Sequence, residues 1–163
     1  MQLEKLFQMQ QALDQHIEEK HDLQKEDLFD RKVLALLVEL GELANETRCF
    51  KFWSVKPSSE KSVVLEEYVD GIHFILSLGI ECGFETLQYS IQTEPTALTV
   101  SEQFLFIYEK ITSFKNSKSN LDFNALLESY LQLGTLLGVS YEEMEKAYFT
   151  KNEVNYQRQQ NNY

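Results

Sequence analysis

Two apolar stretches of this chain carry carboxylates at helical spacing. In LALLVELGELANETRCFKFWS, Leu34–Ser54, the acids Glu39, Glu42 and Glu46 recur at i, i+3 and i+7 and share one helix face. Val33, Leu36, Leu37, Leu40 and Leu43 flank them on one side, and Leu34, Ala35 and Val38 on the other. In LEEYVDGIHFILS, Leu65–Ser77, Glu66, Glu67 and Asp70 fall within one arc, followed by His73 and Ser77. Carboxylates in such surroundings are costly unless paired, protonated or metal-bound. Arg48 and Lys51 are the only cations close in sequence, and converging carboxylates repel one another. A hard divalent cation resolves the repulsion: Mg²⁺, with Mn²⁺ as a substitute, takes carboxylate and water oxygens. The plainer alternative is a pair of solvated helix faces in an acidic protein.

Each acid pair spans about one helical turn, so Glu39/Glu42 and Glu67/Asp70 can meet at one centre if their helices pack antiparallel. Glu46, one turn further along, can complete that centre or orient water. The chain lacks a P-loop, a Rossmann glycine fingerprint, an H-E-x-x-H zinc motif and a Ser-His-Asp elbow. Metal-assisted phosphoryl chemistry is therefore favoured over hydride or acyl transfer.

The elements that must position these groups are helical. Only Pro57, Pro95 and six glycines interrupt 163 residues that are 43% hydrophobic, enough for one domain with its own core. The periodicity predicts helices over Leu3–His21, Leu28 to about Arg48, Leu65–Ser77, Ser101 to about Phe114, and Phe123–Leu137. Asp27 and Asp122 are the expected caps of the second and fifth. Gly138 is a stop, and Ser140 with Glu143 has the spacing of a capping box that opens a last helix. Tyr89–Thr99, containing Pro95, reads as a surface connection, and Gln157–Tyr163 as a flexible tail. The expectation is an all-α bundle spanning 1–163, with central helices apolar enough for two packing surfaces each and hence for a homodimer.

Other residues suit a small, phosphorylated ligand. Gln10, Gln11 and Asp14 lie near the seam of the first helix, where an amide can read the edge of a base or serve only local hydrogen bonds. The segment CFKFWSVKPSSEK, Cys49–Lys61, brings Phe50 and Trp53 together with Lys51 and Lys56: walls for a base and cations for phosphate, or a plug for the end of the bundle. Lys151, Asn155 and Arg158 share a face of the last helix and form either a phosphate and sugar clamp or a wet surface. The formal charge of −11 disfavours a nucleic-acid polymer as partner. Cys49 and Cys82 have no metal-site spacing and read as reduced thiols. No apolar run approaches a membrane span and no signal peptide is evident, so the expected location is cytoplasmic.

At these residues the chain resembles the all-α dimeric dUTP pyrophosphatases, within the MazG-like nucleotide pyrophosphohydrolases. ELGELANE (Glu39–Glu46), EEYVDGIHFILS (Glu66–Ser77), YFTKNEVNYQRQ (Tyr148–Gln159) and MQQALDQHI (Met9–Ile17) carry the resemblance over nearly the whole chain. It implies hydrolysis of dUTP to dUMP and diphosphate, with dUDP also accepted, and attack of water at the β-phosphorus. Glu39, Glu42, Glu67 and Asp70 match the Mg²⁺-binding carboxylates, with Glu39 preferred for orienting or deprotonating water. Gln10 or Gln11, Asp14, Trp53 and His73 are implied around uracil and deoxyribose. Asp14 stands where some relatives carry Asn, so no specific base contact is assigned to it. Lys151, Asn155 and Arg158 match a late nucleotide-contacting segment, and Lys51 and Lys56 are further phosphate candidates. The region between Cys82 and Ser101 is too short for the extra lid of some larger relatives. Two alternatives remain at this level: a MazG-like pyrophosphohydrolase of broader specificity, and a non-enzymatic helical nucleotide sensor.

Overall fold

The apolar periodicity becomes six helices in the computed structural model, which describes residues 2–87, 89 and 96–161. They are α1 (Leu3–Lys20), α2 (Phe29–Thr47), α3 (Lys61–Glu81), α4 (Val100–Ser117), α5 (Asn120–Leu136) and α6 (Tyr141–Gln160), with no strand among the described residues. The expected connection over Tyr89–Thr99 lies largely outside them.

Side-chain contacts fix the directions. Lys32 near the start of α2 meets Glu81 at the end of α3, whereas Glu46 near the end of α2 meets Ser59 just before α3, so these helices are antiparallel. Gln10 pairs with His73 and Asp14 with Ser77, which sets α1 parallel to α3. Lys61 reaches Glu143 and Lys151 reaches Asp70, so α6 also runs parallel to α3. Helix α3 is central and packs against α1, α2, α5 and α6. From Tyr68 to Gly79 it is buried on nearly every side, including Val69, Ile72, Ile75 and Leu76.

Helix α2 differs from the expectation of apolar cover on both flanks of its acids. Val33, Leu36, Leu40 and Leu43 are buried, but Leu34 and Val38 on the other flank are 63% and 49% exposed. A single chain has only one layer, α3 with α4, to pack against α2.

Two tyrosines lock α3 to α5. The Tyr130 hydroxyl donates to the Tyr68 carbonyl at 3.0 Å, and the Tyr68 hydroxyl to the Tyr130 carbonyl at 3.3 Å. Their rings stack with centroids 5.0 Å apart. Each hydroxyl lies over a glycine: a Cβ on Gly71 would stand 1.9 Å from the Tyr130 oxygen, and one on Gly134 2.4 Å from the Tyr68 oxygen. Gly71 directly follows Asp70, so the lock also fixes the acidic end of α3.

Helix starts are partly as expected. Ser140 and Glu143 form the predicted capping box, and Asp27 accepts from the Phe29 amide at 3.0 Å one residue ahead of the α2 cap position. Asp122 is not the cap of α5. Ser119 has the extended backbone a cap requires and accepts from the Asp122 amide at 3.2 Å, so α5 begins at Asn120. Helix α3 begins at Lys61, a turn before the predicted Leu65, and α6 continues through Gln157 to Gln160. Its last turns are tied to α1 by the His16–Tyr156 ring contact and a 2.9 Å hydrogen bond between His21 and Gln159.

Candidate active site

The acids of α2 and α3 converge because the helices are antiparallel and packed along their buried leucines. Among the described residues, Glu39, Glu67 and Asp70 each offer an oxygen within 4.8 Å of the others. Glu42 is exposed, yet its charge is felt by both Glu39 and Glu67. Glu46 lies outside the cluster, and its carboxylate accepts from the Ser59 hydroxyl while its carbonyl accepts from the Ser59 amide at 3.0 Å. It thereby fastens the loop that leads into α3.

Burial, followed by repulsion from Asp70, Glu42 and Glu67, pushes the Glu39 carboxyl up to about 7. Burial and the neighbouring acids Asp70 and Glu42 raise Glu67. Burial also raises Asp70, against the opposing pull of Lys151. The Lys151 ammonium donates to Asp70 at 2.7 Å and to Glu66 at 2.9 Å, with its side chain only 12% exposed. Burial disfavours that ammonium, but its bonds to Asp70 and Glu66 outweigh this and hold it above the usual lysine range. One ammonium cannot neutralise three converging carboxylates. Oxygen-only donors with an uncompensated negative charge fit a hard divalent cation.

The cluster opens into a cavity of about 210 Å³ between α1, α3 and α6. Glu39 and Asp70 stand at one end, and Lys151, Asn155 and Arg158 form the α6 wall. Leu13, Ile17 and Phe74 supply apolar surface. Gln10, Asp14, His73 and Ser77 make a polar floor.

That floor is one hydrogen-bonded relay. Gln10 Nε2 donates to Asp14 at 2.7 Å, and Ser77 Oγ donates to the other Asp14 oxygen at 2.5 Å. Gln10 Oε1 accepts from the Tyr148 hydroxyl at 2.8 Å and lies 2.7 Å from His73 Nδ1. An amide oxygen only accepts, so His73 Nδ1 carries a hydrogen. Burial, with the Lys151 charge as a lesser cause, lowers the His73 pKa to about 3, so the ring is neutral near pH 7. Its Nε2 is therefore a bare acceptor, and this buried atom has no hydrogen-bond partner among the described residues. The ring is held by stacking on Tyr148 at 4.1 Å between centroids.

The other expected residues lie apart from this cavity. Gln11 is exposed on α1, which leaves Gln10 as the amide in the floor. Trp53 is 65% exposed and packs edge-on against Phe52 and Phe50. Lys51 bonds Asn45 and Lys56 is exposed; neither they nor Trp53 line the cavity. The loop is held in that conformation by Arg48, which donates to Ser54 at 2.7 Å and to the Lys56 carbonyl at 3.1 Å. A larger groove of about 560 Å³ lies between α3 and α6, lined by Leu65, Val69, Ala147 and Val154. It has no comparable set of convergent buried polar groups.

Two participants escaped the sequence reading. Tyr148 lies three and seven residues before Lys151 and Asn155, a spacing that places it beside them on α6. Lys32 pairs with Asp14, Glu18 and Glu81 behind the floor. Its signal was position: it lies seven residues before Glu39 on the same face of α2.

A carboxylate cluster, a polar floor and a basic wall thus line one cavity of an all-α bundle. A family model described as dUTPase matches residues 2–163, and the chain belongs to that family of enzymes, which hydrolyse dUTP. No curated protein matches the chain significantly.

Proposed function

We propose that the enzyme cleaves dUTP to dUMP and diphosphate with Mg²⁺ as its cofactor, Mn²⁺ substituting, and also converts dUDP to dUMP and phosphate. The supporting observation is the continuity between the Glu39/Glu67/Asp70 cluster and a floor whose free group is a hydrogen-bond acceptor. Glu39, Glu67 and Asp70 would hold the cation, with Glu42 adjacent to their cluster. When bound, the cation supplies charge stabilisation at phosphate oxygens and a more acidic water.

The protein groups have separable tasks. His73 Nε2 accepts from the imide N–H of uracil; cytosine offers only a lone pair at that ring position, so dCTP is disfavoured. Apolar Leu13, Ile17 and Phe74 exclude water around the base. Lys151 and Arg158 meet the negatively charged phosphates, and Asn155 offers an amide to the sugar or phosphates. The Glu39 carboxylate takes the proton of the attacking water. The new bond forms at the β-phosphorus, and the bridging oxygen leaves with dUMP. Exposed Leu34 and Val38 on α2 and Leu105 on α4 support a homodimer. No described helix is long and apolar enough to cross a membrane, which accords with a cytoplasmic setting. Physiologically, the reaction would limit uracil incorporation into DNA.

Single-turnover hydrolysis in ¹⁸O-labelled water tests this reading. Label should enter diphosphate and not dUMP, only with a divalent cation present. Label in dUMP would reverse the assigned site of attack, and unchanged turnover in excess chelator would remove the metal role.

A further inference from the structure

The floor has a direction, and the residue that sets it lies outside the cavity. Asp14 and Lys32 have side chains only 12% exposed, with the Lys32 nitrogen 3.6 Å from Asp14 Oδ2. The same ammonium meets Glu18 at 3.4 Å and Glu81 at closer range. Lys32 is absent from the cavity lining. We propose that Lys32 is a positioning residue for base selectivity: its charge supports the Asp14 carboxylate and so fixes the direction of the relay through Gln10 to His73. This rests on the reading that the floor receives the base.

The argument follows the donors. Ionised Asp14 only accepts, so Gln10 must turn its NH₂ group toward it and its oxygen toward Tyr148 and His73. His73 then holds its hydrogen on Nδ1 and exposes the Nε2 lone pair. A neutral Asp14 can donate, which permits the Gln10 amide to reverse. His73 Nδ1 would then accept, the ring hydrogen would move to Nε2, and the cavity would present a donor. Burial pushes Asp14 toward its neutral form, and the largest opposing influence is the charge of Lys32. One ammonium therefore decides between two opposite hydrogen-bond patterns at an atom it does not touch.

A merely structural Lys32 would bridge α1, α2 and α3 without affecting selectivity. Long-range ¹H–¹⁵N spectra of the full-length wild-type protein should show His73 as the Nδ1–H tautomer; an Nε2–H ring would overturn the proposal without any variant. Lys32→Met should raise KM for dUTP about tenfold or more while kcat changes less than about twofold. Its preference for dUTP over dCTP should fall by a similar factor, and Lys32→Arg should restore both. Glu81→Gln removes another partner of Lys32 and should leave KM and selectivity unchanged. If Lys32→Met is unfolded by circular dichroism, Lys32→Gln is read in the same way. Unchanged KM and selectivity in a folded Lys32 variant would refute the proposal. A wild-type enzyme that does not distinguish dUTP from dCTP would instead refute the underlying base assignment.

Discussion

Gly71→Ala tests whether the tyrosine lock positions the acidic cluster. The added methyl would lie 1.9 Å from the Tyr130 oxygen and 2.6 Å from its Cζ, against an ordinary contact of at least 3.4 Å. Tyr130 is fully buried and stacked on Tyr68. Relief requires either ring displacement with loss of its 3.0 Å hydrogen bond or separation of α3 from α5. Overpacking costs about 1–3 kcal/mol. A buried hydroxyl and carbonyl left unpaired cost roughly another 1–3 kcal/mol. Alanine's better helix propensity returns at most about 1 kcal/mol. The net loss is about 1–5 kcal/mol, a Tm decrease of roughly 2–20 °C for a domain of this size. Because Asp70 is the preceding residue, Mg²⁺ affinity and kcat should fall with it, each by about tenfold. Gly138→Ala is the comparison: its φ of 72° carries a backbone penalty, but beyond its chain neighbours no atom of the described residues lies within 4 Å of the added Cβ. It should lower Tm modestly and leave Mg²⁺ affinity intact. Thermal denaturation and Mg²⁺ titration of both variants decide the matter. A Gly71→Ala protein within about 2 °C of wild type and with normal Mg²⁺ affinity would refute the steric argument.

Other perturbations separate the two ends of the cavity. Glu67→Gln should reduce kcat by about 100-fold or more at fixed Mg²⁺ with helix content retained, measured by diphosphate release and circular dichroism. Tyr148→Phe removes a donor to Gln10 worth about 1 kcal/mol and should raise KM roughly fivefold with little change in kcat, read from steady-state kinetics. The metal-free protein should lose stability as pH rises through about 7. Burial and the neighbouring acids raise Glu39 from 4.5 to about 7, so the folded state binds the extra proton between those values and loses its advantage as the group ionises. With solvent screening of this half-exposed group, the Tm decrease should be a few degrees, and added Mg²⁺ should stabilise more at pH 7.5 than at pH 5 in calorimetric scans.

The acidic spacing was legible from local periodicity, but its division of labour was not. Glu39 and Glu42 are both members of an E-x-x-E pair, yet the rotation between i and i+3 leaves Glu39 partly buried and Glu42 exposed. Glu46 continues the same face, but the chain turns back there and Ser59 engages its carboxylate. The loop residues show a similar limit. Their aromatic and basic types suggest a nucleotide wall, whereas hydrogen bonds from Arg48 across six and eight residues place Trp53 and Lys56 elsewhere. Ser119 and Asp122 are both good cap types; the backbone conformation chose Ser119. Lys32 required contacts across 18 and 49 residues before its counter-charge role became visible. The fold class and the paired acids are local signals, while the relay in the cavity floor exists only once α1, α2, α3 and α6 have packed.

The central claim is that one cavity joins an acid cluster that would hold a cation to an acceptor that separates uracil from cytosine. Its most direct measurement is kcat/KM for dUTP, dCTP, dTTP and UTP, with and without Mg²⁺, followed by separation of monophosphate and diphosphate products. Mg²⁺-dependent conversion of dUTP to dUMP and diphosphate, exceeding all three competitors, is the expected result. Equal turnover of the four nucleotides, or dUTP binding without product, would contradict it.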